Sequence, residues 1–181
     1  MIIDILIALA GIIVVLVIVV AMQPDVFRVT RSASIPAPAS LLFAQVNDFH
    51  RWQAWSPWAR LDPTAKNSFE GAASGEGAVF RWAGNKQVGE GSMTLLESRP
   101  DELIRIKLEF LKPFQATNTT EFTFKPSGNL TVVSWSMTGK NNFVAKAFSL
   151  VMNCDKMVGG QFEKGLANLQ AVTEAEVTAH R

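Results

Sequence analysis

The sequence predicts an α+β fold: an antiparallel sheet against one long C-terminal helix, preceded by one N-terminal transmembrane helix. Three observations carry this. The first residues form an apolar run with a single charge; residues 67–139 alternate apolar and polar side chains between short turns; and residues from about 143 to about 174 contain no proline and repeat apolar side chains at helical spacing.

Ile2 to Met22 reads IIDILIALAGIIVVLVIVVAM, 21 residues with Asp4 as the only charge. At about 1.5 Å per residue, such a helix spans a bilayer core of roughly 30 Å. A cleaved signal peptide would need a basic n-region, a shorter apolar core and a small-x-small cleavage site. No Lys or Arg precedes this run, and Val19-Val20-Ala21-Met22-Gln23 is a poor site. The expectation is an uncleaved anchor over residues 1–24, carrying a domain over residues 25–181. Arg28 and Arg31, on the C-terminal side of the run, lean that domain towards the cytosol.

After Gln23-Pro24-Asp25, residues 27–35 place Phe27, Val29, Arg31, Ala33 and Ile35 on one strand face. Pro36 and Pro38 end that strand, and Pro38 suits the first turn of an amphipathic helix running to Asn47. A second short helix carries Trp52 and Trp55 and stops before Pro57, because the residue ahead of a proline avoids the helical region. Strands follow near 67–70, 77–83, 88–98, 102–111, 115–125 and 130–139, with turns at Gly84-Asn85, Arg99-Pro100-Asp101, Lys112-Pro113 and Pro126-Ser127-Gly128-Asn129. Short turns between successive strands imply an antiparallel meander. Ile104, Ile106, Leu108 and Phe110 face one way and Arg105, Lys107 and Glu109 the other, so one face of the sheet is wet. A single helix from about Phe143 to about Glu174 would then lay Phe148, Met152, Gly159, Phe162, Leu166 and Leu169 on the sheet's apolar face.

Composition narrows the chemistry. Seventeen basic residues against 16 acidic ones, with no basic block, lack the electrostatic footprint of a nucleic-acid binder. Cys154 is the only cysteine, so no intramolecular disulfide forms. His50 and His180 are the only histidines, too few to build a zinc cluster with one thiol. Gly75-Glu76-Gly77 runs into a strand, whereas a dinucleotide or phosphate loop opens a helix, and no Gly-x-Ser-x-Gly elbow occurs. No cofactor and no metal site is implied. Two sequons, Asn118-Thr119-Thr120 and Asn129-Leu130-Thr131, fall in or beside strands and carry no weight.

The order of elements, with four stretches of sequence, resembles the START-like and pollen-allergen-like (SRPBCC) superfamily, and in particular its polyketide cyclase/dehydrase and lipid-transport branch. The stretches are Ile35-Pro36-Ala37-Pro38 leading into Phe43, Val46 and Asp48; Trp52 with Trp55-Ser56-Pro57-Trp58; Gly89-Glu90-Gly91-Ser92-Met93; and Phe162-Glu163-Lys164-Gly165-Leu166-Ala167-Asn168-Leu169. The resemblance spans roughly residues 26 to 170. It implies a helix-grip fold, in which a curved antiparallel sheet wraps the long C-terminal helix around a cavity for lipids, sterols, polyketides or other apolar molecules. It implies no catalytic residue, because the superfamily has no universal catalytic motif, so function rests on the site itself.

Trp52, Trp55 and Trp58 form the most conspicuous cluster in a chain with five tryptophans and no tyrosine. They either plug the junction between the small helices and the sheet or form the gate or membrane-facing rim of the cavity, since indole suits an apolar–polar boundary. By alternation, Asn118, Thr120, Phe122 and Phe124 face inward together, as do Trp135 and Met137, and on an earlier strand either Arg81 or its neighbours Phe80 and Trp82. An inward Asn–Thr pair can orient a carbonyl or hydroxyl of an apolar ligand, or the two can satisfy buried neighbours. Asp155 falls on the apolar stripe between Met152 and Phe162; unpaired, it would be an acid–base candidate, paired, it would meet an arginine such as Arg81 or Arg105, and with the helix rotated it would be wet. Gly159-Gly160 costs about 1 kcal/mol per glycine in mid-helix, which implies a kink or a close approach to a strand.

Three functions fit. The first is a membrane-tethered domain that binds an apolar or amphipathic small molecule, with lipid the leading example. The second is a cyclase/dehydrase-type enzyme using Asp155, Arg81, Asn118 and Thr120. The third is a protein-interaction adaptor whose cavity is filled by Phe110, Phe122, Phe124, Trp135 and Phe162.

Overall fold

The computed structural model describes residues 1–151 and 153–179. It opens with helix α1 (Ile2–Ala21), exposed except at Val20 and long and apolar enough to cross a membrane. An N-terminal helix of this kind serves either as an anchor or as a signal segment. β1 (Val26–Ile35) follows, then α2 (Ala39–Asn47), one 3-10 turn (Phe49–Arg51), and α3 (Trp52–Trp55). The meander consists of β2 (Lys66–Gly71), β3 (Ala78–Ala83), β4 (Glu90–Arg99), β5 (Leu103–Lys112), β6 (Ala116–Ser127) and β7 (Leu130–Lys140). Two helices close the chain, α4 (Phe143–Val151) and α5 (Cys154–Ala179).

All seven strands join one antiparallel sheet in the order β1-β7-β6-β5-β4-β3-β2. Only the β1–β7 pairing joins strands distant in sequence, so the meander's own turns set nearly all the register. Tight reversals fall where residues tolerate left-handed backbone: Gly128 (φ 62°) and Asp101 (φ 62°) make the β6–β7 and β4–β5 turns. The inner face buries Ile104 and Ile106 on β5, Phe122 and Phe124 on β6, and Val133 and Trp135 on β7. On the outer face Arg105 bridges Glu97 and Glu121, as the alternation of β5 predicts.

α5 lies across the inner face. Phe162, Leu166 and Leu169 are buried against it, an i, i+4, i+7 stripe. Gly165 permits the contact: a β-carbon there would sit 2.6 Å from the indole of Trp135 and 3.2 Å from Pro57. Gly159 does the same for β1, since the Arg31 guanidinium occupies the space its side chain would need.

The C-terminal segment departs from the single helix expected over about 143–174. It is two helices because Asn153 caps the second: its side-chain oxygen accepts the Lys156 N–H at 2.9 Å and its carbonyl the Met157 N–H at 3.1 Å. Phe148, placed on the core stripe by one continuous phase, is half exposed on α4 instead. Met152, assigned to the same stripe, and His180 lie outside the described residues.

Candidate functional site

The junction of the small helices with the sheet is tightly packed. Trp52 donates its indole N–H to the carbonyl of Val46 at 2.8 Å, and Trp55 donates to that of Gln45 at 3.2 Å, so both polar handles end on the last turns of α2. Their rings meet Phe122 and Trp135 edge to face, at centroid distances of 5.8–6.3 Å. From α5, Asn168 donates to the Trp55 carbonyl at 3.0 Å, locking α3 onto the long helix. Trp55 and Phe122 are wholly buried here and, with Phe124, lie behind the cavity wall.

Beside this plug the sheet, α5 and the segment after α3 leave a cavity of about 260 Å³. Trp58 follows Pro57 out of α3 and forms one wall, 5.8 Å from Trp135 and 6.3 Å from Phe162. Trp135 and Phe162 stack at 4.2 Å to make the back. Phe80, Trp82, Met93, Leu108, Phe110 and Met137 line the sheet side, and Val158 the helix side. Trp82 lies against the backbone of Gly91, where a β-carbon would come within 2.5 Å of its ring, and its N–H is held by the Val88 carbonyl at 3.0 Å.

Polar groups are few and grouped by depth. At the back, the Thr120 hydroxyl donates to the Ser136 carbonyl at 2.8 Å and accepts the Trp135 indole N–H at 3.0 Å. Asn118 is buried, donates to Met137 Sδ at 3.8 Å, and stands apart from the cavity lining. At the opening stand Gln53, Asp62, Asn67 and Gln87. Asp62 accepts the Thr64 hydroxyl at 2.7 Å and the Asn85 N–H at 2.6 Å; these bonds hold its carboxyl below the usual carboxylate range, so it is an anion at neutral pH. It thereby ties the 56–65 segment to the β3–β4 turn.

Two other charged candidates lie elsewhere. Arg81 points outward from β3 and pairs with Glu70 at 3.1 Å, while its neighbours Phe80 and Trp82 take the inward positions. Asp155 is exposed on the first turn of α5 and pairs with Arg31, not with Arg81 or Arg105. Arg31 also binds Glu163 at 2.7 Å, and the two acids raise its guanidinium further above the titration range. Among the described residues, no group of three or more His, Cys, Asp or Glu is placed to hold a metal ion.

Of the residues singled out from sequence, Trp52, Trp58, Trp82, Thr120, Trp135, Met137 and Phe162 therefore converge on the cavity. Trp55, Arg81, Asn118, Phe122, Phe124 and Asp155 do not line it. Leu108 and Phe110 were legible on the apolar face of β5, whereas Asp62 and Gln87 arrive from loops, where no periodicity marks them.

The comparisons with known proteins agree with this architecture. No curated protein matches the chain. Among solved structures, a protein from Chromobacterium violaceum superposes with a TM-score of 0.59 at 17% identity, covering 84% of this chain and 99% of its own. Ara h 8.0201 gives 0.55 at 12% identity, with 81% and 99% covered. StfQ, a di-domain ARO/CYC from the steffimycin biosynthetic pathway, gives 0.62 at 11% identity over 84% of this chain and 52% of its own length. At such identities these likenesses bear on the fold alone. The sequence model for polyketide cyclase/dehydrase and lipid transport matches residues 26–174, and the chain accordingly belongs to that family of the SRPBCC superfamily.

Proposed function

We propose that the chain is a membrane-tethered binding domain, with residues 1–24 as anchor and residues 25–181 holding an apolar or amphipathic small molecule, a lipid above all. The observation that carries this reading is the cavity, about 260 Å³ between α5 and the sheet and walled by aromatic and aliphatic side chains. Its size is near the lower end of small-molecule sites, about 300 Å³. Binding would come from removing apolar surface from water, at roughly 25 cal/mol per Å² before the costs of association.

The layout of polar groups favours an amphipathic ligand. Thr120 at the back has its hydroxyl proton committed to the Ser136 carbonyl and accepts the Trp135 indole N–H, so that end has no free hydroxyl donor and is otherwise walled by apolar side chains. Gln53, Asn67 and Gln87 at the opening are exposed and supply donors and acceptors to a polar head. Among the described residues Asp62 is the one ionisable residue in the lining, and its bonds to Thr64 and Asn85 make it a poor general base. The tether adds effective concentration near a lipid source.

The test is mass spectrometry of whatever accompanies the full chain through gentle extraction, repeated with Leu108→Trp, which fills the cavity from the sheet side. A defined apolar compound near one per chain, lost in the variant while circular dichroism is unchanged, is the expected result. A chain that emerges empty and also refuses added phospholipid and fatty acid would refute the reading.

A further inference from the structure

One face outside the cavity is built the wrong way round for water. α4 is a helix of nine residues begun by Asn142, whose side chain accepts the Ala145 N–H at 2.8 Å. Its lysine is inside and its apolar residues are outside: Lys146 is only 9% exposed, whereas Phe143, Val144, Phe148 and Val151 are exposed by 53%, 54%, 50% and 88%. Phe114, from the β5–β6 turn, extends the patch beside Phe148, with rings 6.5 Å apart and 68% of its own surface open. A helix in contact with water alone has the opposite arrangement.

The buried lysine explains where this face points. Lys146 donates to the Ala21 carbonyl, on the last turn of α1, at 3.3 Å and pairs with Asp25 at 2.5 Å. Asn141 adds two bonds to the same linker, from its side chain to the Pro24 carbonyl at 3.1 Å and from its backbone to the Asp25 carbonyl at 2.8 Å. α4 is thus fastened where α1 leaves the rest of the fold. Exposed Lys140 and Lys156 flank it in sequence, two cations of the kind that anionic lipid headgroups attract.

The cavity lies at this same end of the sheet. β1 begins beside the end of β7 there, β5 ends beside the start of β4, and β3 ends beside the start of β2. Phe110, Trp82, Gln87 and Val88 of the cavity belong to that end.

We propose that the α4 face, with Phe114, lies in the interfacial layer of the bilayer that α1 enters, so that the cavity end of the domain rests against lipid. This rests on the tether reading of α1 and adds a second contact that sets the domain's orientation. An amphipathic helix of this kind buries its apolar face about 5–10 Å into the boundary between headgroups and acyl chains. A lipid leaving the bilayer then reaches the cavity with little exposure to bulk water.

The experiment measures depth and needs no ligand. In a Cys154→Ser background, the full chain receives a nitroxide label at Val151→Cys, Val15→Cys in α1, or Asn129→Cys in the β6–β7 turn at the far end. Each is reconstituted into phosphatidylcholine–phosphatidylglycerol vesicles, and its collision rates with oxygen and with a water-soluble nickel chelate are compared. The expected result is a label at Val151 that, like the one at Val15, meets oxygen more often than nickel, with nickel access several-fold below that at Asn129. Val144→Cys, on the preceding exposed turns, repeats the reading. If Val151 matches Asn129 while Val15 stays in lipid, the α4 contact is overturned and the tether survives. If Val15 is also in water, both are overturned. Protection of Val151 from both reagents means that a second copy or another protein covers the face, and the bilayer assignment fails. Ligand uptake is measured separately and can fail without moving any of these labels.

Discussion

The space between the sheet and α5 has two halves made from the same kinds of residue and built for opposite ends. Towards α2, Trp52, Trp55, Phe122 and Leu169 interlock with almost no exposure, and both indole N–H groups are satisfied by carbonyls. Towards β2 and β3, Phe80, Trp82, Leu108 and Phe110 line the sheet side of an open space of about 260 Å³, with Val158 and Phe162 of α5 on its other side. Both halves are walled mainly by large apolar side chains, so the presence of such side chains does not determine which half is filled. What differs is that α3 seals one half with the wholly buried Trp55 and sets Trp52 at the boundary between the two, whereas the chain after Pro57 leaves the other half with Trp58 at its wall. Density in the first half sustains the fold, and its lack in the second leaves room for a ligand.

The largest effect that would test this contrast is at the plug. Trp55→Ala should cost about 3–5 kcal/mol in urea unfolding, because a wholly buried indole leaves a cavity and an unpaired Gln45 carbonyl. A loss as small as that of a surface substitution would erase the distinction between the halves. Next comes Gly165→Ala. Despite the better helix propensity of alanine, the new methyl meets Trp135 and Pro57, and a net destabilisation of about 1–3 kcal/mol is expected from the shift in chemical denaturation midpoint. Gly160→Ala is its control on the neighbouring face of α5, where among the described residues nothing lies within 4 Å; here alanine should stabilise by about 0.5–1 kcal/mol in the same assay.

The smallest effect is at the exposed clasp of Arg31 with Asp155. Arg31 hydrogen bonds hold the Asp155 carboxyl below its ordinary range, so its native value lies under the unfolded one of about 3.9. Its contribution is therefore complete above about pH 4 and is lost as pH falls through the native value. The gap in thermal midpoint between the natural chain and Arg31→Met should be wider at neutral pH than at pH 3. A gap that does not change with pH would mean that Arg31 acts by packing over Gly159 alone.

Strand positions were legible to within about two residues because β1, β5 and β6 keep a period of two with one wetter face, and turn residues sit at nearly every reversal, although β4 shifts register between Leu95 and Glu97. Inward positions followed from the same alternation: once Phe122 faces in, Thr120 and Asn118 must as well, and all three are buried. The break between α4 and α5 was missed because hydrophobic spacing continues across it, although Asn153, a good capping residue, offered a signal. The partner of Asp155 was missed because Arg31 is 124 residues away in sequence, and sequence supplies residue types rather than distances. Loop residues such as Asp62 and Gln87 carry no period at all, and only the folded path of the 56–65 segment brings them to the opening.

By itself, then, the sequence determined the α+β class, the meander and its wet and dry faces, the apolar N-terminal helix and the inward residue set, since these depend on local periodicity and on turn chemistry. The tertiary structure alone decided which inward residues close on one another and which enclose space, where Arg31 finds its acids, and why α4 carries its lysine inside. Those outcomes depend on how far apart α5 and each strand stand, and on packing across more than 100 residues of chain. That separation is set by particular close approaches, such as Gly165 against Trp135 and Gly159 beneath Arg31.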